Sequence, residues 1–165
     1  YKRVSLLEDV SMVWFVKQSK LYALLDKLEG DGLLSSTLVP GDTHPMRKEY
    51  QITAAGEKMF AAWRQSPVEH GRDMRQEFLA RLYFARLAGA APSLELLQRQ
   101  VDKCQGWLKE LQAGEKKYPD CREYASMVYR FRIYQTEAML NWLKECEKDF
   151  KDESKPVETT TPSRT

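Results

Sequence analysis

The chain has 165 residues, 42% of them hydrophobic and 30% charged, and its 26 basic and 24 acidic side chains leave a net charge of +2. That is a soluble globular balance, enough for one domain or two small ones. It excludes a function resting on a uniformly basic surface, but DNA binding needs only a local patch and stays open. Cys104, Cys121 and Cys146 are an odd set without close pairing, so neither a disulfide framework nor a zinc motif is suggested and a reducing cytoplasm is expected. No apolar run approaches the roughly 20 residues of a membrane span, so no membrane partner is expected.

In chain order, the first clear element is an amphipathic helix from Ser19 to Glu29. Leu21, Leu24, Leu25 and Leu28 fall at helical spacing, and the stripe is expected to pack against other helices. Lys20, Tyr22, Ala23 and Lys27 occupy the opposite face. Ser19 is the expected N-cap, and Gly32 the stop, since glycine accepts a left-handed backbone cheaply. Leu33 to Val39 is short and β-prone, Pro40 to Asp42 reads as a turn, and Glu49 to Thr53 alternates Tyr50 and Ile52 with polar residues. Two short strands joined by a loop are therefore expected. His44, Arg47 and Lys48 are placed on that loop as candidates for phosphate or minor-groove contact, beside a helix whose Gln18, Ser19 and Lys20 would reach base edges or nearby phosphates. Tyr22 and Lys27 would position the protein on the backbone. Thr53 then caps a helix to about Arg64 whose apolar side is Met59, Phe60 and Trp63.

The chain divides near Pro67, with Ser66 to Arg72 as a polar connector. Three helical patterns follow without a strand signal. The first, about Arg75 to Leu87, carries Phe78, Leu82, Tyr83 and Phe84 and stops at Gly89 to Pro92. The second begins after Ser93 and is closed by Gly114; its Leu94, Leu97, Val101, Cys104, Leu108 and Leu111 have the spacing of a coiled-coil seam. The third, roughly Arg122 to Phe150, is apolar around much of its circumference. A second subunit is the expected cover, with Val128, Phe131, Leu140 and Leu143 as the dimer interface. Trp107, Tyr129, Tyr134 and Trp142 read first as core or dimer packing, with an aromatic-lined ligand pocket as the alternative. Lys151 to Thr165 is rich in polar residues and proline and is expected to be disordered. His44 and His70 stand apart from any cysteine or carboxylate cluster, so no metal and no cofactor is expected. Cys104 reads as a small core residue, while Cys121 and Cys146 are open to a redox role.

At these residues the chain resembles the PadR family of bacterial transcriptional regulators. The family pattern of a serine-rich entry, then Leu/Ile-Tyr-x-x-Leu-x-x-Leu-Glu-x-x-Gly-Leu, stands here as Ser19, Leu21, Tyr22, Leu25, Leu28, Glu29, Gly32 and Leu33. The wing pattern, Pro-x-Arg-Lys-x-Tyr-x-Leu-Thr-x-x-Gly, stands as Pro45, Arg47, Lys48, Tyr50, Ile52, Thr53 and Gly56. The resemblance implies a mainly α chain with a small β-hairpin. A winged helix-turn-helix DNA-binding domain (1–66) would precede an all-helical dimerisation and possible ligand-sensing domain (67–150) and a tail (151–165). It further implies a homodimeric repressor that meets a near-palindromic operator in double-stranded DNA, modulated by a small aromatic or phenolic effector. Family members begin with an additional helix, so the sequence, which starts at Tyr1, is read as opening inside the second helix with Tyr1, Val4 and Leu7 on its buried face. The rival class is a winged-helix protein-interaction adaptor without sequence-specific DNA binding. An enzyme is the weakest option, because no nucleophile, base and orienting residue can be assembled.

Overall fold

A computed structural model describes residues 13, 18–40 and 47–153. In order these form helix α1 (Gln18–Gly30), strands β1 (Leu34–Val39) and β2 (Arg47–Ile52), helix α2 (Ala54–Gln65), a short 3-10 segment (Gly71–Arg75), and helices α3 (Glu77–Ala88), α4 (Ala90–Glu115) and α5 (Tyr124–Glu153). The chain is mainly α with one antiparallel two-stranded hairpin, and it falls into two units divided between Gln65 and Ser66. Tyr1, Val4, Leu7, Gly41, Asp42, His44, Pro45 and the chain beyond Glu153 lie outside the described residues.

In the first unit the turn after α1 is built by Gly32, whose φ of 71° is left-handed. Its N–H donates to the Glu29 carbonyl at 3.0 Å, and the Leu33 N–H donates to the Leu28 carbonyl at 2.9 Å, the paired bonds of a Schellman ending. The same corner receives the start of α2. Thr53 donates its N–H to the Leu33 carbonyl at 3.1 Å and its hydroxyl to the Gly32 carbonyl at 2.8 Å. The Thr53 hydroxyl also accepts the Gly56 N–H at 3.1 Å, which is the expected N-cap of α2. Gly56 is buried, and a Cβ there would overlap the Leu33 carbonyl oxygen, so the motif glycine is fixed by backbone approach.

Two expectations change in this unit. Helix α1 has already begun at Gln18, so Ser19 sits within its first turn and is not the N-cap. The leucine stripe is only partly covered: Leu21 and Leu24 are 44% and 43% exposed, and Leu25 is half-buried. The described elements of this unit, one hairpin and one further helix, present too little apolar surface to bury it.

The second unit has the larger core. Phe78, Leu96, Leu97, Cys104 and Leu143 are fully buried, joined by Val68, Met74, Ala85, Val101 and Leu140. The heptad positions Leu97, Val101, Cys104 and Leu111 are buried where α4 runs along α5, so the seam is consumed within one subunit. Only Gly89, at φ 121°, separates α3 from α4. The four-residue break expected from Gly89 to Pro92 shrinks to one residue because proline lacks only an N–H that the first helical turn leaves unpaired. Ser93 then returns its hydroxyl to the Gly89 carbonyl at 2.9 Å. Helix α4 ends at Glu115, and buried Gly114 leaves room for the Tyr129 ring, which stacks on Tyr118 at 5.7 Å.

The connector is not a free polar strand. Val68 is buried and its N–H donates to Oε1 of fully buried Gln100 at 2.8 Å. Arg81, also buried, donates to the carbonyls of Ser66 and Pro67 at 2.6 and 2.9 Å and pairs with Glu77. Helix α5 continues to Glu153, with Lys151 paired to Glu147 at 2.7 Å, so the first residues of the expected disordered tail are helical.

The apolar girth of α5 is split between two environments. Leu140 and Leu143 are covered by their own subunit and have no surface left for a partner. Phe131 and Tyr134, at 61% and 65% exposed, and Val128 with them, lie on the uncovered part.

Candidate nucleic-acid interface

On α1, the helical angle of 100° per residue places Lys20 and Lys27 on one edge, about two turns apart, while Tyr22, Asp26 and Glu29 share the other edge of the polar face. Lys20, Tyr22 and Lys27 are all exposed. Gln18 and Ser19 lie in the first turn, and their side chains are outside the described residues, as is His44. The acidic edge faces the hairpin. Glu29 accepts from the Ser36 hydroxyl and from Lys48 Nζ at 3.3 Å, and Asp26 lies 4.0 Å from the same Lys48.

Arg47 and Lys48 open strand β2 instead of standing on the loop: they pair with Val39 and Leu38 across the ladder. Hairpin pairing extends closer to the turn than the alternation of Tyr50 and Ile52 suggested. Successive strand residues point to opposite faces, so the two cations do not form one patch. Lys48 shares a face with Tyr50, over whose ring its ammonium sits at 5.8 Å, and with Ser36. Arg47 is on the other face, paired with Glu49 at 2.8 Å and mostly exposed.

The Ser36 hydroxyl, followed by Lys48, holds the Glu29 carboxyl below its ordinary range, and Glu29 in turn raises the Lys48 ammonium. Lys48 is thus a brace from wing to helix that neutralises the acids on α1's hairpin-facing edge. The sequence motif contains Glu29 and Lys48, but their pairing was not legible from spacing, because they lie 19 residues apart and meet only once β1 and β2 fold back.

In the helical unit, Trp107, Tyr129 and Trp142 line an open groove of about 1520 Å³. Tyr134, expected with them, does not line it; its position on the uncovered side of α5 turns it away. Trp142 is held edge-on against core Phe78 at 6.1 Å. Arg75 and Arg132, not singled out by any motif, also line the groove. Cys104 is buried, and desolvation pushes its thiol up; burial, then Asp149 and Glu145, do the same to Cys146, which disfavours the reactive thiolate. Among the described residues no group of three or more His, Cys, Asp or Glu side chains could hold a metal, and no helix is long and apolar enough to cross a membrane.

Helix, glycine corner, hairpin and capped second helix together make the helix-and-hairpin arrangement of a winged helix. Residues 3–62 match the family described as the transcriptional regulator PadR-like family, and residues 74–151 match virulence activator alpha C-term. Over its first unit the chain is thus similar to the PadR-like family of transcriptional regulators. It is 26% identical over 112 residues to the negative transcriptional regulator PadR of Bacillus subtilis (strain 168), covering 67% of this chain and 60% of that protein. The chain therefore spans under two thirds of that curated relative. Similar solved structures are Bacillus subtilis PadR in complex with operator DNA (21% identity, 88% of this chain and 87% of that one, TM-score 0.41) and the same regulator in complex with p-coumaric acid (20% identity, 87% and 84%, TM-score 0.42).

Proposed function

We propose that this chain is a dimeric, DNA-binding transcriptional repressor of the cytoplasm, in which α1 enters the major groove and the hairpin flanks it as the wing. The observation that carries this reading is the uncovered Lys20 and Lys27 edge of α1, beside a hairpin that draws Lys48 onto α1's acidic edge and so lowers the repulsion a phosphate backbone would meet. Gln18, Ser19 and Lys20 are assigned to base edges and nearby phosphates, and Tyr22, Lys27, His44 and Arg47 to the backbone. Lys48 acts by shaping the surface. The repressor sense follows the name of the Bacillus subtilis relative.

The dimer seam is assigned to the uncovered part of α5, Val128 and Phe131 with Tyr134, and not to Leu140 or Leu143. Two reading heads then meet a near-palindromic site. A small effector, aromatic or phenolic in the family's manner, is assigned to the helical unit, where it shifts DNA affinity only by its differential affinity for the two arrangements of the heads.

The test is a salt titration of full-length protein on the DNA flanking its own gene. Lys20→Ala is expected to cost about 1 to 3 kcal/mol on the cognate site and much less on random DNA. Arg47→Ala weakens all sequences alike and lowers the salt slope by about 1. Affinity independent of salt and of both variants rejects the reading and favours a protein-interaction adaptor.

A further inference from the structure

We propose that the segment from Ser66 to Arg75 is a latched strap: closed, it fixes where the chain leaves the helical unit, and opened, it lengthens the tether to the first unit and loosens the half-site spacing that a dimer accepts. The spacing role rests on the dimeric DNA-binding reading; the latch does not. Helix α2 ends at Gln65, and the chain runs from it directly into this segment.

The latch is polar. Fully buried Gln100 accepts the Val68 N–H at 2.8 Å and donates its own amide to Cys104 Sγ at 3.6 Å, which aims the acceptor at the strap. Arg81 donates to the Ser66 hydroxyl at 2.7 Å and to the Ser66 and Pro67 carbonyls, and Lys103 pairs with Glu69. Apolar attachment is thin: Val68 and Met74 are buried, whereas Glu69, His70, Arg72 and Arg75 are exposed. When the strap lifts, water takes over the polar bonds. Opening therefore costs the net worth of a few hydrogen bonds and the burial of Val68 and Met74, and leaves the core around Phe78, Leu97 and Leu143 intact.

Placement gives the latch its consequence. Glu69, Gly71 and Arg75 also wall the groove, where a Cβ added to Gly71 would sit 4.0 Å from Trp107 and 3.9 Å from Met139. The strap is thus both a groove wall and the start of the helical unit. Each released residue spans up to about 3.3 Å, close to the roughly 3.4 Å rise of one base pair. Freeing a few residues is enough to absorb a change of a base pair in the distance between half-sites.

Amide exchange in the full chain and its affinity for DNA flanking its own gene, with half-site spacing varied, test the proposal together. In the parent, the Val68 amide should exchange about tenfold or more faster than those of Leu97 and Leu143, with little dependence on denaturant, as a local opening does. Gly71→Ala closes the strap. Gly71 has no positive φ and its new methyl group makes ordinary contacts with Met139 and Trp107, so Val68 exchange should slow about two- to fivefold. Gln100→Leu opens the strap and speeds that exchange about tenfold. On DNA, Gln100→Leu should weaken binding at the native spacing by about threefold or more and flatten the response to one-base-pair insertions, while Gly71→Ala sharpens that response. Val68 exchanging at the rate of the core amides, or the same spacing response in all three proteins, overturns the proposal. A parent without DNA affinity at any spacing rejects the regulator reading and the spacing role with it, while the exchange rates still decide the latch.

Discussion

The two units hold their shapes by different means. Around the hairpin, order comes from backbone geometry: a left-handed Gly32, the Thr53 cap and the close approach at Gly56, with Leu21 and Leu24 largely uncovered. In the helical unit it comes from a dense apolar core, with Phe78, Leu96, Leu97 and Leu143 sealed from solvent. The lesson is that a helix-and-hairpin surface can be set by a few polar and glycine contacts, whereas a unit of long packed helices requires apolar mass. The same division assigns Lys48 to the architecture of the first unit and not to an independent patch of charge.

The largest expected effect breaks the second unit alone. Phe78→Ala should cost about 3 to 5 kcal/mol, because it empties a fully buried site and removes the edge that braces Trp142. Thermal unfolding followed by tryptophan fluorescence measures it; a loss below about 1 kcal/mol would mean that the core can collapse around the gap. Gln100→Leu should cost about 1 to 3 kcal/mol, since the buried Val68 N–H loses its acceptor. Amide exchange at Val68 is expected to accelerate while the hairpin amides stay unchanged.

Gly56→Ala is the matching lesion in the first unit. It should cost about 1 to 3 kcal/mol, as the Leu33 carbonyl must move to admit a methyl group, and exchange protection of Thr53 should fall with that of the helical unit intact. Phe131→Ala sharpens the comparison from the other side. It should shift sedimentation toward monomer with little change in subunit unfolding, because that ring is 61% exposed in the single chain. An unchanged dimer would place the seam elsewhere.

The smallest effect is on pH dependence. The lowered Glu29 contributes stability that is complete above its unfolded value, about 4.3, and is lost as pH falls through its folded value. The raised Lys48 contributes stability complete below its unfolded value, about 10.4, and lost as pH rises through its folded value. Hairpin protection should therefore be flat from about pH 6 to 9 and decline outside that window. Glu29→Gln should abolish both declines; a decline that survives in that variant assigns the pH response to other groups.

By itself the sequence determined the elements whose causes are local. The αL requirement met by Gly32, the hydroxyl of Thr53 placed to cap α2, the β-prone run from Leu34 to Val39 and the helical periodicity of the second half each depend on neighbours a few residues away. The wing and helix motifs carried the family resemblance on the same local grounds. Tertiary structure alone decided which apolar positions were spoken for and which charges met. The heptad spacing of α4 and the breadth of α5 fit an intersubunit seam equally well, and only their packing together buried Leu140 and Leu143 inside one subunit. Arg47 and Lys48, adjacent in sequence, were separated to opposite faces by β pairing, and Lys48 met Glu29 across 19 residues. Periodicity gives each element a face but not the identity of the neighbour that will cover it, and charge pairing depends on distances that exist only after the chain has folded back.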